Sequence, residues 1–146
     1  MSEENEVENY DGSNEFVDYF LADLIATANQ SFDISESSFI PATISVNGTM
    51  YSGFVIGGAV WCDLTIKQME VAAVNEEVAQ GMREYFTKLK EQLYTKDALD
   101  KMEDKNKFPA YLHMLVKTTM PNERAINKLW RFKACEVDGV SLGYLK

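Results

Sequence analysis

Ile40-Pro-Ala-Thr-Ile-Ser-Val-Asn-Gly-Thr-Met-Tyr-Ser-Gly-Phe-Val-Ile-Gly-Gly-Ala-Val-Trp61 is the stretch whose reading decides the fold. Ile40, Ala42, Ile44 and Val46 alternate with Thr43 and Ser45, the period-two pattern of a strand with one buried face. Asn47-Gly48 follows at once. Both residues tolerate positive φ, so the pair suits a type I′ turn whose twist matches two antiparallel strands. The return strand carries Phe54, Val55, Ile56, Ala59 and Val60, with Gly53 and Gly57-Gly58 as interruptions. Glycine inside a strand marks a bulge or the close approach of another backbone. Gly57-Gly58 lacks the following Gly-Lys-Ser/Thr of a phosphate loop. A hairpin of this length is not stable alone, so the rest of the chain must cover it.

Cover is available on both sides. Before the hairpin, Ser13 or Asn14 caps a helix predicted over residues 15–29, with Phe16, Tyr19, Phe20, Leu24 and Ala28 inward and Val17, Leu21 and Ile25 widening the stripe. After it, one long helix is predicted from about Leu64 to Tyr94. Its apolar face is Val71, Val74, Val78, Met82, Tyr85, Phe86, Leu89 and Leu93, and Gly81 is the place for a kink or break. Thirty helical residues would span about 45 Å, more than a small domain needs, which suggests that part of this helix projects or meets another chain. Thr95 caps a short helix over residues 96–104, with Ala98, Leu99 and Met102 inward.

Strand pattern returns at Tyr111, where both faces are largely apolar through Lys117, so this strand is central. Met120 to Arg124 forms a turn and loop, Trp130 and Phe132 alternate with Arg131 and Lys133, and Asp138-Gly139 is a second turn before a short strand over residues 140–145. The fold class expected is α+β: an antiparallel sheet of about five strands, open or partly closed into a barrel, with helices packed outside. Residues 1–14, rich in Glu and poor in large apolar groups, are expected as a disordered acidic tail, and residues 15–146 as one domain.

Charge is divided unevenly. Eleven acids and no Lys or Arg occur before Lys67, while fourteen bases face twelve acids from there on, giving the net charge of -9. Such a chain repels phosphate backbones, which argues against nucleic acid as a partner. The acidic half instead favours a basic protein partner or self-association. No apolar run approaches the roughly 20 residues of a membrane span, and no secretory signal pattern opens the chain, so a cytoplasmic protein without membrane insertion is expected. Cys62 and Cys135, far apart and outside any metal-ligand spacing, read as reduced core thiols.

Nothing in the pattern resembles an active site. His113 is the only histidine, lies inside a strand, and reads as a hydrogen-bonded structural residue. Glu136 and Asp138 have solvent and capping duties, and no loop has calcium-binding spacing. No catalytic residue, cofactor or metal site is expected.

Two segments together resemble the gas-vesicle accessory protein U family. One is Ile44-Ser-Val-Asn47-Gly48-Thr-Met-Tyr-Ser-Gly53. The other is Tyr111-Leu-His-Met-Leu115 followed by Leu129-Trp130-Arg131-Phe132-Lys133 and Glu136-Val137-Asp138-Gly139-Val140-Ser141-Leu142-Gly143. Phe132 stands where the family pattern has glycine. The resemblance implies a non-enzymatic accessory protein concerned with vesicle formation or clustering, with gas-vesicle proteins among its partners. Two other readings accompany it. One is an acidic inhibitor or immunity-type protein that caps a basic target. The other is an Sm-like barrel that assembles as an oligomer, to which the strand–turn–strand is weakly similar.

Overall fold

The computed structural model describes residues 12–13, 18–121 and 124–143. The expected acidic tail lies outside these residues, except that Gly12–Ser13 (β1) pairs antiparallel with Phe108–Pro109 (β4). Five further strands form one antiparallel sheet in the order β6-β5-β3-β2-β7. Their ranges are β2 Ile40–Val46, β3 Thr49–Ile56, β5 Tyr111–Met120, β6 Arg124–Lys133 and β7 Gly139–Leu142. Among the described residues four α-helices accompany them: α1 Tyr19–Asn29, α2 Gly58–Ala72, α3 Glu76–Leu93 and α4 Lys96–Asp104.

The hairpin forms as its alternation requires. Val46 opposes Thr49 and Ile40 opposes Val55, leaving Asn47 (φ 49°) and Gly48 (φ 82°) as the two-residue turn. Beside β5 the register shifts between Ser52 and Gly53. A Cβ on Gly53 would sit 2.1 Å from the Leu115 carbonyl oxygen, so the bulge closes only over glycine.

One face of the sheet presents Ala42, Ile44, Val55, Leu112, Met114 and Val116, all fully buried under α1. The Asp18 carboxylate caps that helix by accepting from the Leu21 amide at 3.1 Å. The expected start at residue 15 falls among residues 14–17, outside the described residues. The inward stripe is Leu21, Ala22, Leu24, Ile25 and Ala28. Tyr19 and Phe20 are not in it: they are 71% and 47% exposed, and Tyr19 packs edge-on against Phe108. The sheet covers the face centred on Leu21, Ile25 and Ala28, which turns Tyr19 to the opposite side of the helix and Phe20 to its margin.

The segment expected as one long helix is two. Ala73 is extended (φ −66°, ψ 134°). The Asn75 side chain then caps α3 by accepting from the Val78 amide at 2.8 Å, and Glu76 and Glu77 occupy its positive first turn. The helix α3 folds back along α2, tied by Lys90–Asp63 and Arg83–Glu70 ion pairs at 3.0 Å. A smaller core of Ala59, Cys62, Leu89, Leu93 and Tyr94 fills the interface. The break is not at Gly81, which lies inside α3. Fold-back removes the overlong rod, and it leaves Val71, Val74 and Val78 at the bend instead of on an inward face. The short helix α4 is capped by Thr95 as expected.

The sheet curls without closing. Residues 134–138 link β6 to β7, four strands away, and the steps from Lys133 to Gly139 reach at most about 22 Å. Laid flat, the strand gaps alone take up about 19 Å, and the pairing also sets Lys133 beside Tyr111 at one end of β5 and Gly139, through Ser45 and Met50, level with Met120 at the other. The link crosses the concave face, with Ala134 and Val137 packed into the core. The outer edges of β6 and β7 do not pair with each other, so the barrel alternative gives way to an open sheet.

Candidate functional site

Asn47, Gly48 and the expected motif residues from Val137 to Gly143 come together at one side of the curled sheet. The Asp138 carboxylate accepts from the Asn47 amide at 2.8 Å, and the Asp138 amide donates to the Ser45 carbonyl at 2.8 Å. Beyond it, Gly139 opposes Ser45, Ser141 opposes Thr43 and Leu142 opposes Ala42. Gly143, with φ 94°, donates its amide to the Pro41 carbonyl and accepts from the Thr43 hydroxyl. The C-terminal motif therefore clamps the Asn47-Gly48 turn and adds an edge strand. Val137 anchors the clamp in the core. Gly53 sits apart at the bulge, and Trp130 and Arg131 lie at the far side of the sheet on β6.

Trp130 and Arg131 point to opposite faces. Trp130, 40% exposed, stacks on Phe132 with ring centroids 5.9 Å apart and leans on Tyr51 at 6.0 Å. Arg131 enters a polar cluster beneath α2 and α3. Its Nε donates to His113 Nε2 at 3.2 Å, its Nη2 donates to the Tyr94 hydroxyl at 3.1 Å, and its guanidinium lies 3.6 Å over the Tyr111 ring. Trp61 from α2 covers the imidazole at 5.1 Å. Burial first, and the Arg131 charge second, hold the His113 pKa well below the usual histidine range. An imidazole that accepts from a guanidinium is neutral, with its proton on Nδ1. His113 is only 1% exposed, so it packs as a structural residue and does not meet solutes. The register that sets His113 opposite Arg131 was readable in the two alternating strands. Tyr94 and Trp61 carried no such signal: Tyr94 closes α3 at its C-cap, and Trp61 stood at the end of the expected return strand, whereas it lies in the first turn of α2.

Other surfaces differ from expectation. Cys135 is exposed in a short 3₁₀ turn over Ala134–Glu136, whereas Cys62 is buried as expected. A cleft of about 640 Å³ opens between α1 and α4, lined by Asp23, Asn29, Phe32, Lys96, Leu99 and Phe108 among others. The exposed apolar side chains at the α2–α3 bend are Val71 at 89% and Val74 at 97%, with Val78 at 48%. Among the described residues there is no group of three His, Cys, Asp or Glu side chains able to hold a metal ion. No described helix is long and apolar enough to cross a membrane.

Set against known proteins, the chain matches no curated protein and no solved structure. It does match one family model, described as gas vesicle protein GvpU-like, over residues 18–145. That span runs from the cap of α1 through the hairpin and the clamp that follows β6, which is nearly the whole chain. The chain belongs to the GvpU-like family of gas vesicle proteins.

Proposed function

We propose that this gas vesicle accessory protein is non-catalytic, acts in the cytoplasm, and works by binding gas-vesicle proteins through its surface. The observation that carries the reading is the α2–α3 bend. Val71 and Val74 are almost fully exposed at its tip, on a helical hairpin packed through its own small core and joined by two ion pairs. Three valines kept in water at the tip of a packed helical hairpin are a contact surface for a partner. Burying them would contribute about 1.5 kcal/mol or more each. The histidine supports the non-catalytic reading, since it is packed under Trp61 and engaged by Arg131.

Vesicle flotation tests this. The protein is produced in cells that form vesicles, the lysate is centrifuged so that intact vesicles rise, and the protein is quantified in the floating layer. The expected result is recovery with the vesicles, lost when pressure collapses them before centrifugation. Protein that stays wholly in the subnatant, with and without collapse, overturns the proposal. An accompanying catalytic turnover abolished by His113→Ala would overturn its non-catalytic part.

A further inference from the structure

The helix α4 stands off from its neighbours. Its apolar stripe, Ala98, Leu99 and Met102, is only half-buried, and none of its nine residues is fully buried. Across from it, α1 presents Ala22 and Ala26, one turn apart on the same side and both small. The space between them is the cleft of about 640 Å³, walled by Phe32, Leu99, Met102 and Phe108. That volume falls within the range of sites that enclose small molecules.

One polar group of the floor is left with donors to give. Asn29, the last residue of α1, lines the cleft and is only 5% exposed. Its Oδ1 accepts from the Gly58 amide at 2.9 Å. Of the two carboxamide atoms only the oxygen can accept, so this bond fixes the orientation of the side chain and turns Nδ2 away from Gly58. Among the described residues Nδ2 has no acceptor. A buried donor of this kind favours a ligand that brings an acceptor to it. The charges select further. Asp23, Asp100 and Glu103 line the cleft against Lys96 and Lys107, and the C-terminus of α1 adds its partial negative charge beside Asn29. An anion meets this negative balance, and a simple cation brings no acceptor. A neutral carbonyl meets both demands.

We propose that the cleft between α1 and α4 binds a neutral small molecule with an apolar body and one carbonyl acceptor. The body lies on Ala22, Ala26, Leu99 and Phe108, and the carbonyl accepts from Asn29 Nδ2. The site is separate from the α2–α3 bend and does not depend on the accessory role proposed above.

Fluorescence titration of the full chain with Prodan tests it. This dye is a neutral naphthalene carrying one ketone, and its emission brightens and moves to shorter wavelength in apolar surroundings. The expected result is a saturable, blue-shifted rise with wild type. Ala26→Trp fills the cleft from an exposed position of α1, so it abolishes the rise and leaves the melting temperature unchanged. Asn29→Asp keeps an oxygen for the Gly58 amide but drops the donor, and it weakens binding roughly fivefold. Val71→Asp/Val74→Asp/Val78→Asp binds the dye as wild type does, which separates the cleft from the bend. The absence of a saturable rise with wild type overturns the proposal. So does an equal rise with folded Ala26→Trp or Asn29→Asp, or loss of the rise in the valine variant.

Discussion

Gly53 is the residue on which the sheet depends most. Its Cα faces the Leu115 carbonyl so closely that a methyl group cannot fit without moving the β5 backbone. Gly53→Ala should lower stability by about 2 kcal/mol, in the range of overpacked cores, measured by urea unfolding. A change below about 0.5 kcal/mol would show that the bulge is softer than its geometry. His113 makes a pH-dependent contribution. Its folded pKa lies below the unfolded value, so above about pH 6.5 both states are neutral and nothing is lost. As pH falls below that, the unfolded chain takes up a proton that the buried imidazole refuses, and stability declines by at most about 1.4 kcal/mol per pH unit. The slope between pH 6.5 and about 5 should flatten in His113→Gln. An unchanged slope would mean that the imidazole does not resist protonation.

At the scale of elements, the strands were legible but two helix boundaries were not: the return strand expected through Val60 ends at Ile56, α2 starts at Gly58 and not near Leu64, and the break between α2 and α3 was missed. Alternation and Asn47-Gly48 specify the hairpin because both signals are local and agree. Val71, Val74 and Val78 misled because their helical spacing continues the apolar face of α3 unbroken across the bend. The competing signal was present in Asn75-Glu76-Glu77, a capping side chain followed by acids in a first turn. Gly81 drew attention as the weak point, yet an exposed glycine costs only about 1 kcal/mol in a helix held by packing. Tyr19 and Phe20 misled for a different reason: their spacing joins them to a stripe with Leu24, but the sheet covers the face centred on Leu21, Ile25 and Ala28. Spacing tells which residues share a face, and only the tertiary fold tells which of two overlapping apolar faces is buried. Asn75→Ala should remove the cap and cost about 1 kcal/mol, read as a lower unfolding midpoint with the α2–α3 hairpin intact. A stability equal to wild type would show that packing between α2 and α3 alone sets the bend.

At the scale of the molecule, the motif that suggested the family turns out to be architectural. Asp138 ties the hairpin turn to the end of the chain, Gly143 closes the edge strand, and Val137 fills the concave face. These residues hold the curled sheet together at the end opposite Trp130 and Arg131. The surface that carries the proposed function lies elsewhere, at a bend that only the Asn75 cap signal marked. It was hidden from sequence reading because exposed valines look the same as buried ones until the tertiary fold separates them. The most direct measurement is vesicle flotation of Val71→Asp/Val74→Asp/Val78→Asp beside wild type, with matched circular dichroism and melting temperature to show that both fold. The account predicts that wild type rises with the vesicles and the variant stays behind, since losing three valine contacts of about 1.5 kcal/mol each weakens binding by roughly a thousandfold. Equal recovery of the two folded proteins in the floating layer would contradict it.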